Sequence, residues 1–72
     1  PECDEEGTVV VEIYVNQNGS VIKAIPGVKG TTGVSCLFDA ARKTALSYKW
    51  PVDLKAPLKQ KGFVIIDFRV QK

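Results

Sequence analysis

Two runs of every-second-residue apolarity frame this chain. Val9, Val11, Ile13 and Val15 alternate near its start, and Val64, Ile66, Phe68 and Val70 alternate near its end. A period of two puts each set on one face of a β-strand. Both runs are rich in β-branched and aromatic residues, which suit a pleated, half-buried surface. With 72 residues, a chain buries only about 60% of its unfolded surface and supports one thin core. The two runs therefore have to line the same core.

The first strand is expected over Thr8–Val15, with Thr8, Val10, Glu12 and Tyr14 on its other face. Asn16-Gln17-Asn18-Gly19 follows, and Asn-Gly supplies the positive-φ tolerance of a tight hairpin turn. Ser20–Ile25 reads as a second, antiparallel strand. Regular alternation would send Lys23 inward with Val21 and Ile25. A bulge that directs Val21 and Ala24 to the core removes that conflict. Residues 26–33, Pro-Gly-Val-Lys-Gly-Thr-Thr-Gly, form a loop by composition. Ser35 is the expected N-cap of a helix over Cys36–Lys49. Leu37, Ala41, Ala45 and Tyr48 make its apolar stripe, with Ala40 beside it. Trp50-Pro51 ends it, because the residue before proline is pushed out of the α region. Residues 51–61 form a polar connector. Phe63–Val70 is the last strand, with Phe63, Ile65, Asp67 and Arg69 on its outward face.

The order β-β-α-β places the chain in the α+β class. One apolar helical stripe covers one face of a three-stranded antiparallel or mixed sheet. A crossover that skips one strand gives the strand order 2-1-3 and centres the most apolar strand. Residues 1–6 are a polar, acidic lead-in, and residues 7–72 form the domain. The last strand then lies at an edge. It carries Phe63 and Ile65 outward and contains no proline. Such an edge either docks another strand or is covered by the lead-in or a second copy.

Composition narrows the function classes. The net charge is +2, and the cations are interspersed with acids, so no nucleic-acid partner is expected. There is no histidine, which removes the commonest general base and metal ligand. No cofactor and no catalysis are expected. No stretch approaches the ~18 apolar residues of a membrane span. The chain opens at Pro1 without methionine and reads as a fragment of a longer protein.

The residues Gly7-x-Val9-x-Val11-x-Ile13-x-Val15, Asn18-Gly19-x-Val21 and Gly30-Thr31-Thr32-Gly33 form the first part of a longer pattern. Leu37-x-x-Ala40-Ala41, Tyr48-x-Trp50 and Gly62-x-Val64-x-Ile66-x-Phe68-x-Val70 complete it. Their order and spacing resemble the C-terminal domain of TonB-type energy transducers, in the variant found in Bacteroidetes-type bacteria. The resemblance covers nearly the whole chain from Gly7. It implies a periplasmic domain tethered to the inner membrane by an upstream helix and a long linker. It further implies that the domain binds the TonB box of outer-membrane transporters as an extra strand beside the last strand. That strand is here Phe63, Val64, Ile65, Ile66, Asp67, Phe68, Arg69 and Val70. An inner-membrane proton-driven motor complex would then pull the transporter open for siderophores, vitamin B12 or glycans. In many members a Tyr-Pro segment precedes the first strand, whereas Pro1-Glu2-Cys3-Asp4 stands here. Similar domains end membrane peptidases and signalling proteins, so a homodimerisation module and an accessory or sensory domain are the rival readings.

Several side chains have two readings each. Cys3 and Cys36 come close in the expected topology and form a disulfide, or else remain separate thiols. The periplasm permits such a bond. A nucleophilic Cys36 would need a base, which the missing histidine does not supply. Glu2, Asp4, Glu5 and Glu6 are a weak Ca²⁺ cluster or a solvated lead-in. Tyr48 and Trp50 stack a ligand or pack the helix end onto the sheet. Lys55, Lys59 and Lys61 steer an acidic partner or keep a loop soluble. For the cysteines, alkylation without reductant should leave the mass unchanged, and two added alkyl groups would refute the bond. Its loss should cost ~3–4 kcal/mol for a loop of roughly 30 residues, on a chain-entropy argument.

Overall fold

The first apolar run becomes the centre of the sheet. In the computed structural model, which describes residues 5–69, strand β1 spans Gly7–Val15. β2 spans Val21–Pro26, helix α1 Phe38–Leu46 and β3 Gln60–Phe68, with a 3-10 turn at Ser35–Leu37 before α1. The strand order is β2-β1-β3. Both ladders are antiparallel, so the chain is an α+β fold with one helix on one face of a three-stranded sheet. β2 and β3 run parallel to each other with β1 between them, as expected.

The core follows the period-two pattern. Val9, Val11 and Ile13 are buried on the helix side of β1, and Val64 joins them from β3. Leu37, Ala41 and Ala45 descend from the helical segment, while Ile66 and Phe68 flank the cluster. The small alanines let α1 approach closely. It packs against β2 and, less extensively, β1.

The bulge expected in β2 is present. Tyr14 pairs with Lys23 but Val15 pairs with Val21, so Ile22 is the extra residue. Val21 and Ala24 consequently pack against the core, and Ile22 points to solvent, 52% exposed. The preceding turn differs from the tight Asn-Gly type. Among the described residues no non-glycine residue has positive φ, so Asn18 does not take a left-handed conformation. The loop is instead Gln17-Asn18-Gly19, closed by Gly19 N–H to Asn16 O at 3.0 Å and Asn16 N–H to Ser20 O at 3.0 Å. The Asn16 side-chain oxygen also accepts from the N–H groups of Asn18 and Ser20. Within this loop Gly19 takes the positive φ, +81°, and a Cβ there would collide with the Trp50 carbonyl oxygen.

That close approach shortens the helix. The expected Cys36–Lys49 helix ends at Leu46, because the following segment turns to meet the hairpin loop. Trp50 N–H donates to Gly19 O at 2.9 Å, and Lys49 forms an isolated antiparallel bridge with Ser20. Ser35 does not cap the helix. The extended residue ahead of the 3-10 turn is Val34, and no side chain caps the end. Tyr48 and Trp50 do not pack as core aromatics either, being 40% and 44% exposed.

The last strand begins at Gln60, earlier than expected, because Gln60 and Lys61 pair with Val15 and Tyr14 and match the full length of β1. It ends at Phe68. Arg69 follows outside the strand, and Val70 lies outside the described residues.

Ile13→Ala should destabilise the domain by about 2–5 kcal/mol, since it opens a cavity in a core with little reserve. Ile22→Ser, at the exposed bulge, should change stability by less than about 0.5 kcal/mol. Urea unfolding followed by circular dichroism distinguishes the two.

Candidate peptide-docking edge

Backbone parity decides which edge is open. The Val10 carbonyl accepts from Gly27 and Val28, and the Thr8 carbonyl from Thr32 and Gly33. The Thr32 and Thr31 hydroxyls accept from the N–H groups of Thr8 and Val10 at 3.1 and 3.0 Å. Thr8 and Val10 therefore direct their backbone groups away from β3. The Thr-Thr loop takes the place of a strand where β2 has already ended. In an antiparallel ladder successive residues alternate direction, so Val9 and Val11 face β3. Their partners Ile66 and Val64 face back toward β1. Phe63, Ile65 and Asp67 then present N–H and C=O outward. Lys61 shares this direction at the start of the strand.

The two sheet edges are unequal. β2 is a six-residue strand with a bulge and a terminal proline, and α1 packs over it. These are the usual guards against strand addition. β3 is nine residues, in unbroken register with β1. Among the described residues, no hydrogen bond occupies the backbone groups of Phe63, Ile65 or Asp67.

Side chains of the same residues shape the face opposite the helix. Phe63 and Ile65 are 56% and 71% exposed. With Thr8, Val10, Glu12, Val28, Lys29 and Gly30 they line a shallow groove of about 660 Å³. At one end, Glu12 accepts a 2.8 Å hydrogen bond from the Tyr14 hydroxyl and lies 3.3 Å from the Lys61 ammonium. The Tyr14 hydrogen bond, followed by Lys61, holds the Glu12 carboxyl below its ordinary range. Donating to that carboxylate raises the Tyr14 phenol. The Lys59 and Lys23 ammonium groups lie 4.7 and 6.0 Å from the Tyr14 ring centre. At the other end, Arg69 and Asp67 form an exposed ion pair at 3.0 Å. On the helix side of the sheet a second hollow, about 350 Å³, is bordered by Ile13, Trp50, Pro51, Asp53, Ala56 and Gly62.

Of the residues expected at the docking strand, Phe63, Ile65 and Asp67 form the open rim. Val64, Ile66 and Phe68 support it from the core side. Arg69 continues beyond it, and Val70 lies outside the described residues. Sequence reading missed Val10, Glu12, Tyr14 and Val28 as parts of this face. The signal was the second face of the first strand, where Thr8, Val10, Glu12 and Tyr14 share one parity. Cys36 is disulfide-bonded, so it is not a free thiolate nucleophile. Its expected partner, Cys3, lies outside the described residues, as do Glu2 and Asp4. Glu5 and Glu6 are exposed.

No protein-family model, curated protein or solved structure matches this chain.

A pH titration reads the Glu12 cluster. Its depressed folded-state pKa contributes stability that is present above the ordinary glutamate range. That contribution is lost as pH falls through the lowered folded-state value. Carboxyl-carbon NMR should show Tyr14→Phe and Lys61→Ala each raising the Glu12 midpoint.

Proposed function

We propose that this domain is a non-catalytic periplasmic adaptor that binds an extended peptide as a fourth strand beside β3. The observation that carries this reading is the β3 edge, whose outward backbone groups at Phe63, Ile65 and Asp67 meet no hydrogen-bond partner among the described residues. Main-chain hydrogen bonds supply the affinity and tolerate many guest sequences. One adaptor can therefore serve many partners. Affinity is modest, because a free peptide loses entropy as it becomes ordered.

The resemblance to TonB-type transducers supplies the biological setting. The guest is then the TonB box of an outer-membrane transporter. The domain is tethered to the inner membrane by an upstream segment. A proton-driven motor complex pulls through that tether, and the cargo is a siderophore, vitamin B12 or a glycan. A disulfide-bonded Cys36 accords with an oxidising compartment such as the periplasm. The edge geometry suits pulling: force along the strand loads the whole ladder in shear, whereas force across it opens the bonds one at a time.

Proline substitutions test the edge. Ile65→Pro and Asp67→Pro remove N–H groups that point outward, so the domain should stay folded while peptide binding falls below detection. Ile66→Pro removes a ladder hydrogen bond to β1 and should unfold much of the domain. Binding retained by folded proline variants at both outward positions contradicts the proposal. Light scattering on the same samples reads the rival arrangement, in which two β3 edges pair across a two-fold axis.

A further inference from the structure

We propose that the segment between α1 and β3 docks the domain on an anionic lipid surface. Trp50, Val52, Leu54 and Leu58 enter the bilayer interface, and Lys49, Lys55 and Lys59 reach the headgroups. This surface is separate from the outward rim of β3 and needs no guest strand.

Residues 47–59 link α1 to β3. They hold five of the nine exposed large apolar side chains among the described residues: Tyr48, Trp50, Val52, Leu54 and Leu58. Leu58 and Leu54, 77% and 72% exposed, exceed all the others. Apolar surface is therefore concentrated on one short segment, a distribution that marks a contact site. The segment is held in place by its backbone and not by these side chains. Asp53 N–H donates to Gln17 O at 2.9 Å. The Gln17 side-chain amide donates to the Ala56 carbonyl at 2.8 Å, and Trp50 N–H donates to Gly19 O. Val52, Leu54 and Leu58 can thus exchange water for hydrocarbon without releasing any of these bonds.

Charge complementarity selects the lipid. Lys49, Lys55 and Lys59 are interleaved with the apolar residues and exposed. Among the described residues, no carboxylate lies within ion-pair distance of any of the three. Asp53 is the one acid of the segment. The anchors to Gln17 and Gly19 set the segment at the hairpin end of the sheet. Glu5 and Glu6 stand at the other end, with Glu6 close to Gly7 and Phe68. The nine residues of β1 separate the two ends, about 27 Å at the usual strand rise. That exceeds a Debye length of ~10 Å, so these acids do not offset the lysines. The residue types favour lipid over protein. Protein–protein contacts are depleted in lysine. At a bilayer interface, lysine stems lie along apolar surface while their ammonium groups reach the headgroups, and Trp and Tyr sit at headgroup level. Anionic headgroups add attraction for each lysine.

Trp50 is the only tryptophan of the chain, so its fluorescence reads this surface directly. The domain is titrated with vesicles of phosphatidylglycerol and, separately, of phosphatidylcholine. With phosphatidylglycerol, Trp50 emission should move to shorter wavelength, and lipids brominated on their acyl chains should quench it. Phosphatidylcholine should bind at least roughly tenfold more weakly, and high salt should shrink the difference. Leu54→Ser with Leu58→Ser should weaken binding by roughly tenfold or more. Lys49→Gln, Lys55→Gln and Lys59→Gln together should bring phosphatidylglycerol down to the phosphatidylcholine level. All of these positions are exposed, so the variants should keep the circular dichroism of the folded domain. Phe63→Ser, on the β3 rim, should leave vesicle binding unchanged. No emission shift with phosphatidylglycerol, equal binding to both lipids, or binding that survives the two leucine substitutions overturns the proposal, as does its loss in Phe63→Ser. A soluble peptide of alternating leucine and aspartate that shifts Trp50 emission where vesicles do not assigns the surface to an acidic protein, and equally overturns it.

Discussion

The structure depends on the two-sided pairing of β1. Its side chains alternate between the core and the opposite face, and its backbone groups alternate between β3 and the β2 side. Burial of Val9, Val11 and Ile13 ties these two alternations together. A one-residue slip of register would turn the whole apolar set toward water. The buried face thus pins the register of β3. That register determines that Phe63, Ile65 and Asp67 face the open edge.

The β2 side of β1 is completed economically. β2 pairs from Val15 to Val11, and beyond it the Gly27–Gly33 loop takes over. Its backbone N–H groups serve the carbonyls of Val10 and Thr8, and its threonine hydroxyls serve their N–H groups. Buried backbone groups need such partners wherever they lie. No equivalent loop shields the outer edge of β3 among the described residues. The asymmetry between a guarded edge and a bare one underlies the functional reading, more than any single side chain does.

A lone edge with exposed phenylalanine and isoleucine invites indiscriminate pairing. The charged residues here temper that hazard. Lys61 stands at one end of the apolar row and Asp67 at the other, while Lys59 and Lys23 add positive charge near Tyr14. Two copies pairing antiparallel through β3 would bring the ends of this graded row together in opposite order.

Much of the architecture was legible in the chain alone. Alternation in Val9–Val15 and Val64–Phe68 specified two strands and their buried faces. The misfit of Lys23 announced the bulge, and the Leu37, Ala41, Ala45 stripe announced the helix. These signals are readable because each follows from a local period and a single apolar face. The exposed positions of Tyr48 and Trp50, the early end of α1 and the extension of β3 to Gln60 were not legible. Each depends on a meeting between distant segments: Trp50 with Gly19, Lys49 with Ser20, Gln60 with Val15. The sequence by itself determined which side chains of β3 turn outward. Only the tertiary structure decided that the backbone beneath them meets no partner among the described residues, because that depends on which segments the fold brings to either side of β3.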